Sequence, residues 1–220
     1  MAVVKSDVSP SERARACLEQ GGDYEDEGSG DRVVGHHYRD PLEAIWLYAA
    51  RRLGIVIVRS DEVFASWNGD GTLTLSVPAG FDADDCMAQM VLHELAHALV
   101  QGAGAWQESD WGLHNTDGRD LAAEHAAQRV QAALAQPFGL RSFVAVTTRW
   151  RDYYDGLPAD PLAGPDADPA VRLARLAFAR SRRPPWRDAI DDALAATAAI
   201  ARVVRPIAGQ DSLWSTTKPC

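Results

Sequence analysis

The 220-residue sequence has little cysteine and no long uninterrupted apolar stretch. Its three cysteines, Cys17, Cys86 and Cys220, are widely spaced and odd in number, which argues against a disulfide framework. No apolar run reaches the roughly 18 residues of a membrane-spanning helix. The N-terminus also lacks the basic and apolar regions of a secretory signal. These absences predict a cytoplasmic protein with no membrane partner.

Basic residues are scarce except towards the C-terminus. The formal net charge is −9, and residues 71–136 carry 2 basic and 9 acidic groups, whereas residues 137–220 carry 12 and 9. Such an acidic balance disfavours nonspecific binding to nucleic acid, which is therefore not a predicted partner. The hydrophobic content of 46% and charged content of 24% are typical of globular proteins.

Two of the six histidines lie in the apolar segment Val91–Val100, which reads VLHELAHALV. If this segment is a helix, His93 and His97 lie on one face, about one turn apart, where they can share a metal ion. Glu94 then lies beside them, where it can act as a base towards a water molecule. The alternative is a pair of core histidines that bind backbone carbonyls.

A catalytic zinc site usually has three protein ligands, so two histidines leave one to find. The His-x-x-Gly-x-x-His continuation of the metzincins is absent after His97. The downstream candidates are Glu108, His114, Asp117, Asp120 and Glu124. Glu124 is favoured because small residues surround it in a predicted helix, so a second helix could approach closely and bury the carboxylate against a positive charge. The alternative is a solvated glutamate on a helix face.

Over roughly residues 40–137 the chain resembles the ImmA/IrrE group of small zinc peptidases, which are zincins with a glutamate ligand. The resemblance rests on the His-Glu-x-x-His helix and on Glu124, Ala127 and Pro137 at the spacings of the family's second motif. Gln128 stands where the family usually has Asn, and a glutamine can make the same kind of supporting hydrogen bond with a longer reach.

The resemblance implies that His93, His97 and Glu124 bind Zn²⁺ and that Glu94 is the general base of a metallopeptidase acting on a protein or peptide substrate. Zinc peptidases often use one more side chain to stabilise the oxyanion, and His114, on a predicted cleft loop, is the candidate for this catalytic role. His125 follows Glu124 on the predicted helix and therefore points elsewhere, so we expect it to be structural.

The predicted fold class is α+β, with a minimal zincin core and a helical C-terminal extension. We expect an N-terminal helix and acidic flexible segment in residues 1–39, the core in 40–137 and the extension in 138–220. The predicted core contains a helix capped by Asp40, short strands that include Thr72–Val77, a helix over Phe81–Gln101 capped by Asp82, and a helix over Gly118–Gln136. Helices are also predicted over 138–157, from Asp168 to Arg180, and from Trp186 to Val204.

Two other functions fit the sequence. One is a catalytically silent or partner-specific regulatory protein that keeps the zincin scaffold. The other is a metal-free protein that docks an acidic partner through the arginine cluster of Arg180, Arg182, Arg183 and Arg187. A regulatory protein partner is compatible with the first of these and with a latent peptidase.

Overall fold

A computed structural model describes residues 35–114, 118–147 and 149–215. The chain divides into two compact units, residues 1–38 and 39–220. The predicted N-terminal helix and almost all of the predicted acidic segment lie outside the described residues. Of the first unit, residues 35–38 are described, and they are exposed and irregular.

The described ranges contain six α-helices and one three-stranded sheet, so the protein belongs to the mixed α+β class. None of these helices is long and apolar enough to cross a membrane. The elements in chain order are α1 Pro41–Arg52, β1 Val56–Ser60, β2 Ala65–Trp67, β3 Thr72–Ser76, α2 Met87–Gln101, α3 Leu121–Ala135, α4 Arg151–Asp155, α5 Pro169–Ser181 and α6 Trp186–Val204.

Helix α1 begins where the sequence predicts it. The Asp40 carboxylate accepts hydrogen bonds from the backbone N–H groups of Leu42 and Glu43, at 2.9 and 3.1 Å, and Pro41 occupies the first turn. The helix buries one face that includes Trp46 and Ala50, and this face anchors the sheet and the C-terminal helix.

The sheet has the order β1–β3–β2, with β1 parallel and β2 antiparallel to β3. Strand β3 is therefore central. Apolar and polar residues alternate along it, so Leu73 and Leu75 are fully buried while Thr72 and Thr74 are partly exposed. Strands β1 and β2 are the two edges of the sheet, and β2 lies beside the candidate site described below.

Helix α2 begins at Met87, six residues later than predicted. Asp82 does not cap it, because residues 82–85 form a turn in which the Asp85 carboxylate accepts from the Asp82 N–H and from the Thr147 hydroxyl. Asp85 thus links the segment before α2 to the loop that contains Thr147. A helix that began at Phe81 would prevent this contact. Gly102, with φ of +76°, ends the helix as predicted.

The prediction of a helix over residues 138–157 is wrong for most of that range. Gly139 adopts φ of +67°, residues 140–147 are irregular and mostly buried, and only α4 is helical. The backbone carbonyls of Val144 and Ala145 accept hydrogen bonds from the buried side chains of Gln131 and Gln89. These long-range bonds replace the hydrogen bonds that a helix would make locally.

The C-terminal helices pack onto the other elements. Helix α5 contacts α3 and α2, and α6 contacts α1. Helix α5 starts at the predicted place, where the Asp168 carboxylate caps it, and the bounds of α6 are as predicted. The α1–α6 contact includes a buried hydrogen bond of 3.0 Å from the Trp46 indole N–H to the Thr197 hydroxyl, which in turn donates to the Ala193 carbonyl.

Thr197→Val should destabilise the protein by about 1–3 kcal/mol, because the mutation leaves the buried Trp46 indole N–H without an acceptor. Thr197→Ser is the matched control, since it keeps the hydroxyl and should cost much less. Urea denaturation of both variants measures the difference. Equal free energies of unfolding for Thr197→Val and the wild type would contradict a role for this bond in docking α6.

Candidate metal centre

Two packed helices supply the side chains that the sequence singled out. Helix α2 carries His93, Glu94 and His97, and α3 carries Glu124. The buried alanines beside Glu124, at positions 123, 126 and 127, are small enough for the two helices to lie close together. The expected close approach of a second helix is therefore present.

Three ligand atoms converge between these helices. His97 Nε2 lies 3.0 Å from His93 Nε2 and 3.1 Å from Glu124 Oε2, and His93 Nε2 lies 3.6 Å from Glu124 Oε1. One atom from each residue falls within 4.8 Å of the other two, so the group could hold a metal ion. The side chain of Glu124 is only 16% exposed, which rules out a solvated glutamate.

Two glutamines of α3 support this group. Gln131, fully buried, places its Oε1 2.9 Å from His93 Nδ1, while its amide nitrogen donates to the Val144 carbonyl. Since that oxygen can only accept, the network assigns a proton to His93 Nδ1, so Nε2 can bind a cation when the ring is neutral and carries the second proton when the ring is charged. Gln128 donates to Glu124 Oε1 at 2.9 Å, as predicted.

Among the described residues, no backbone carbonyl is a hydrogen-bond partner of either histidine ring, although such partners were the alternative for a metal-free core. Sequence reasoning missed Gln131. The available signal was a polar residue seven positions after Glu124, on the helix face that also carries Glu124 and Gln128.

The charges of the group are strongly coupled. Burial opposes ionisation of Glu124, but the positive charge of His93 and the hydrogen bonds from His97 and Gln128 hold its pKa well below the usual range. Burial likewise disfavours a charged His97, yet the hydrogen bond and charge of Glu124 raise its pKa above the ordinary value. In the absence of a cation, a proton between His97 and Glu124 thus provides the positive charge that the carboxylate needs.

A cavity of about 240 Å³ opens onto the ligand group. Its walls include Glu94 and the apolar side chains of Phe64, Ala65, Met90 and Val146. A larger cavity, of about 860 Å³, lies at the other end of α2 beside residues 180–186 and does not include the metal-ligand group. We assign the chemistry to the smaller cavity because the convergent titratable groups line it.

Glu94 lines this cavity without belonging to the ligand group. Its Oε2 accepts a hydrogen bond of 3.1 Å from the indole N–H of Trp111. Trp111 lies on the predicted cleft loop that also carries His114, and the sequence gave no signal for this contact.

The structure does not bring His114 to the cavity. Its side chain is 65% exposed, and its backbone N–H donates to the Asp120 carboxylate at 2.7 Å. The predicted oxyanion role of His114 therefore gains no support from its position. Glu108 is exposed, and Asp117 lies outside the described residues. His125 stacks on Tyr153 at a centroid distance of 3.5 Å, a contact that suits the structural role predicted for it.

The free energy of unfolding of the metal-free protein should fall as the pH rises above about 6.5, the unfolded pKa of histidine. The raised pKa of His97 means that its ion pair with Glu124 stabilises the fold fully below that pH and is lost as the pH passes the folded value. Glu124 stays ionised throughout, since its pKa is lowered.

His97→Gln should flatten this dependence, whereas His114→Gln, which changes an exposed histidine outside the cavity, should not. Urea denaturation at several pH values in the presence of a chelator tests both variants. A wild type and a His97→Gln variant with the same pH dependence would contradict the assignment.

Comparisons with protein-family models, with curated proteins and with solved structures found no match for this chain. The described residues themselves show two imidazole nitrogens and one carboxylate oxygen in reach of a single ion, with a further carboxylate on the adjoining cavity.

Proposed function

We propose that this protein is a zinc-dependent metallopeptidase on a minimal zincin core of the ImmA/IrrE type, acting in the cytoplasm. The observation that carries the proposal is the convergence of His93, His97 and Glu124 beside Glu94 on one cavity. The order of the core elements, helix, sheet, α2 and α3, agrees with that architecture.

The donor set fits zinc. Two imidazole nitrogens and one carboxylate form a common ligand set of hydrolytic zinc sites, which keep one position open. Zinc held there would lower the pKa of a bound water towards neutrality and polarise a substrate carbonyl. Gln131 and Gln128 would hold His93 and Glu124 in the orientation that metal binding requires.

In the proposed reaction Glu94 moves the proton. Its carboxylate takes a proton from the attacking water and passes it to the nitrogen of the leaving amine as the peptide bond breaks. The substrate is a protein or peptide, and the apolar walls formed by Phe64, Met90 and Val146 favour an apolar side chain next to the cleaved bond. The acidic surface would mildly attract basic substrates.

Glu94→Gln should keep zinc and fold but lower the rate of peptide hydrolysis by about 10²–10⁴-fold, the usual contribution of a general base. The assay digests a mixed peptide library with zinc-loaded protein and follows the products by mass spectrometry, with zinc content measured in parallel. If the wild type and Glu94→Gln gave the same products at the same rate, hydrolysis would not depend on this site. The regulatory-scaffold alternative would then be favoured.

Glu124→Ala should reduce zinc affinity by at least about 10–100-fold, the loss typical of removing even a supporting residue. Glu108→Ala is the matched control because Glu108 is an exposed glutamate outside the ligand group. Elemental analysis and competition with a chromogenic chelator measure the affinity, with about one zinc per chain expected for the wild type. Equal zinc affinities for the two variants would refute Glu124 as a ligand.

A wild type that carries no zinc would favour the metal-free docking alternative. The structure supports that alternative less well, because two of the four arginines in the proposed docking cluster make contacts within the protein. Arg180 donates to the Leu99 and Val100 carbonyls at 2.6 and 2.8 Å, and Arg182 pairs with Asp191. Arg183 and Arg187 are exposed.

A further inference from the structure

We infer that Trp111 is a positioning residue for Glu94 and that a strained turn, Asp110–Gly112, aims its indole N–H at that carboxylate. This role rests on the proposed function, in which Glu94 is the general base. Trp111 is only 2% exposed, so it acts through Glu94 and does not touch a substrate.

The backbone of this turn is unusual. Asp110, Trp111 and Gly112 have φ values of +48°, +58° and +75°, three consecutive residues in the left-handed region. Glycine adopts this region freely and aspartate tolerates it, but for a bulky residue such as tryptophan it is a genuine outlier. Such a conformation persists where surrounding contacts impose it, and it is common at functional sites.

The contacts that impose it come from strand β2. The Asp110 Oδ1 accepts hydrogen bonds from the Ser66 hydroxyl at 3.0 Å and from the Trp67 N–H at 3.1 Å. The Trp111 ring stacks on the Trp67 ring, with centroids 4.1 Å apart and planes 8° apart. The same strand begins with Ala65, which lines the cavity, so the turn and the cavity share one rigid support.

The position of the Trp111 indole fixes the orientation of the Glu94 carboxylate. With Oε2 held by the indole at 3.1 Å, rotation about the last side-chain bond is restricted, and Oε1 is the oxygen left for a water molecule in the cavity. A base that is held in one orientation needs no reordering when the proton moves. Packing alone does not require the N–H to point there, since a phenylalanine would also stack on Trp67.

The first test needs neither metal nor substrate. The chain has seven tryptophans, and ¹⁵N-labelled indole signals of the chelator-treated protein are followed by NMR. Trp111→Phe identifies the Trp111 signal by its loss. Glu94→Ala should shift that signal and accelerate its hydrogen exchange, while the signal of Trp106, in the same aromatic cluster, should change little. An unchanged Trp111 signal would overturn the inference.

The second test measures function in the metal-loaded protein without an unknown substrate. Acetohydroxamic acid is titrated into Co²⁺-loaded protein and followed by the visible spectrum. It binds as the hydroxamate anion, and the proton that it loses can be accepted by a well-placed base. Trp111→Phe should weaken binding about tenfold, the usual effect of losing a hydrogen bond to a charged group. Trp106→Phe, the matched control in the same cluster, should leave it within about twofold.

A double-mutant cycle separates positioning from packing. In a Glu94→Ala background, Trp111→Phe should cause no further loss of acetohydroxamate affinity. Additive losses would show that the ring acts only as packing and would overturn the inference. A wild type that binds no Co²⁺ would instead refute the proposed metal site. The hydrogen bond from Trp111 to Glu94 would then have no catalytic role, although the NMR test could still show that the bond exists.

Asp110 offers a rescue by a conservative change. Asp110→Asn keeps the Oδ1 acceptor and tolerates the left-handed backbone, so it should bind acetohydroxamate like the wild type. Asp110→Ala removes the acceptor and should weaken binding as Trp111→Phe does. Equal affinities for these two Asp110 variants would contradict the proposed role of the turn.

Discussion

The contact between a buried carboxylate on α3 and two imidazoles on α2 is the constraint on which the rest of the structure depends. Glu124 is buried to an extent that an isolated carboxylate would not tolerate, so a positive charge must face it. His97 and His93 face it at 3.1 and 3.6 Å. Helix packing brings these three side chains together. Because the Glu124 carboxylate needs a positive charge beside it, the site has to hold a proton or a metal cation.

The surrounding elements are arranged so that this contact keeps its geometry. Two backbone carbonyls of the irregular segment 140–147 accept hydrogen bonds from Gln131 and Gln89. Because this segment is not helical, its carbonyls are free to fix these two glutamines on the helices that carry the ligand group. Arg180 of α5 closes the far end of α2 by binding its last carbonyls. Strand β2 supports the turn that carries Trp111. Each of these contacts joins residues that are far apart in sequence.

Local signals predicted well what depends on local physics. The Asp40 and Asp168 caps and the span of α6 follow from side chains within a few residues, and the two histidines follow from a four-residue spacing. The late start of α2 and the irregular segment 140–147 could not be predicted, because Asp85 and the Val144 carbonyl are engaged by partners 62 and 13 residues away. The roles of Gln131 and Trp111 were missed for the same reason, since neither residue type marks a site without its partner.

Several buried polar side chains lie beside the ligand group, which a core that only held the two helices together would not need. Gln89, His97, Gln128 and Gln131, all buried, lie on the two helices that form the ligand group. Replacing a buried polar or ionic cluster with apolar residues of similar volume is often neutral or stabilising. A core whose only task was to hold α2 against α3 would therefore be apolar here, as it is where the alanines meet. Local strain at Asp110 and Trp111 points the same way, because it adjoins Glu94, a carboxylate that lines the cavity and is not in the ligand group.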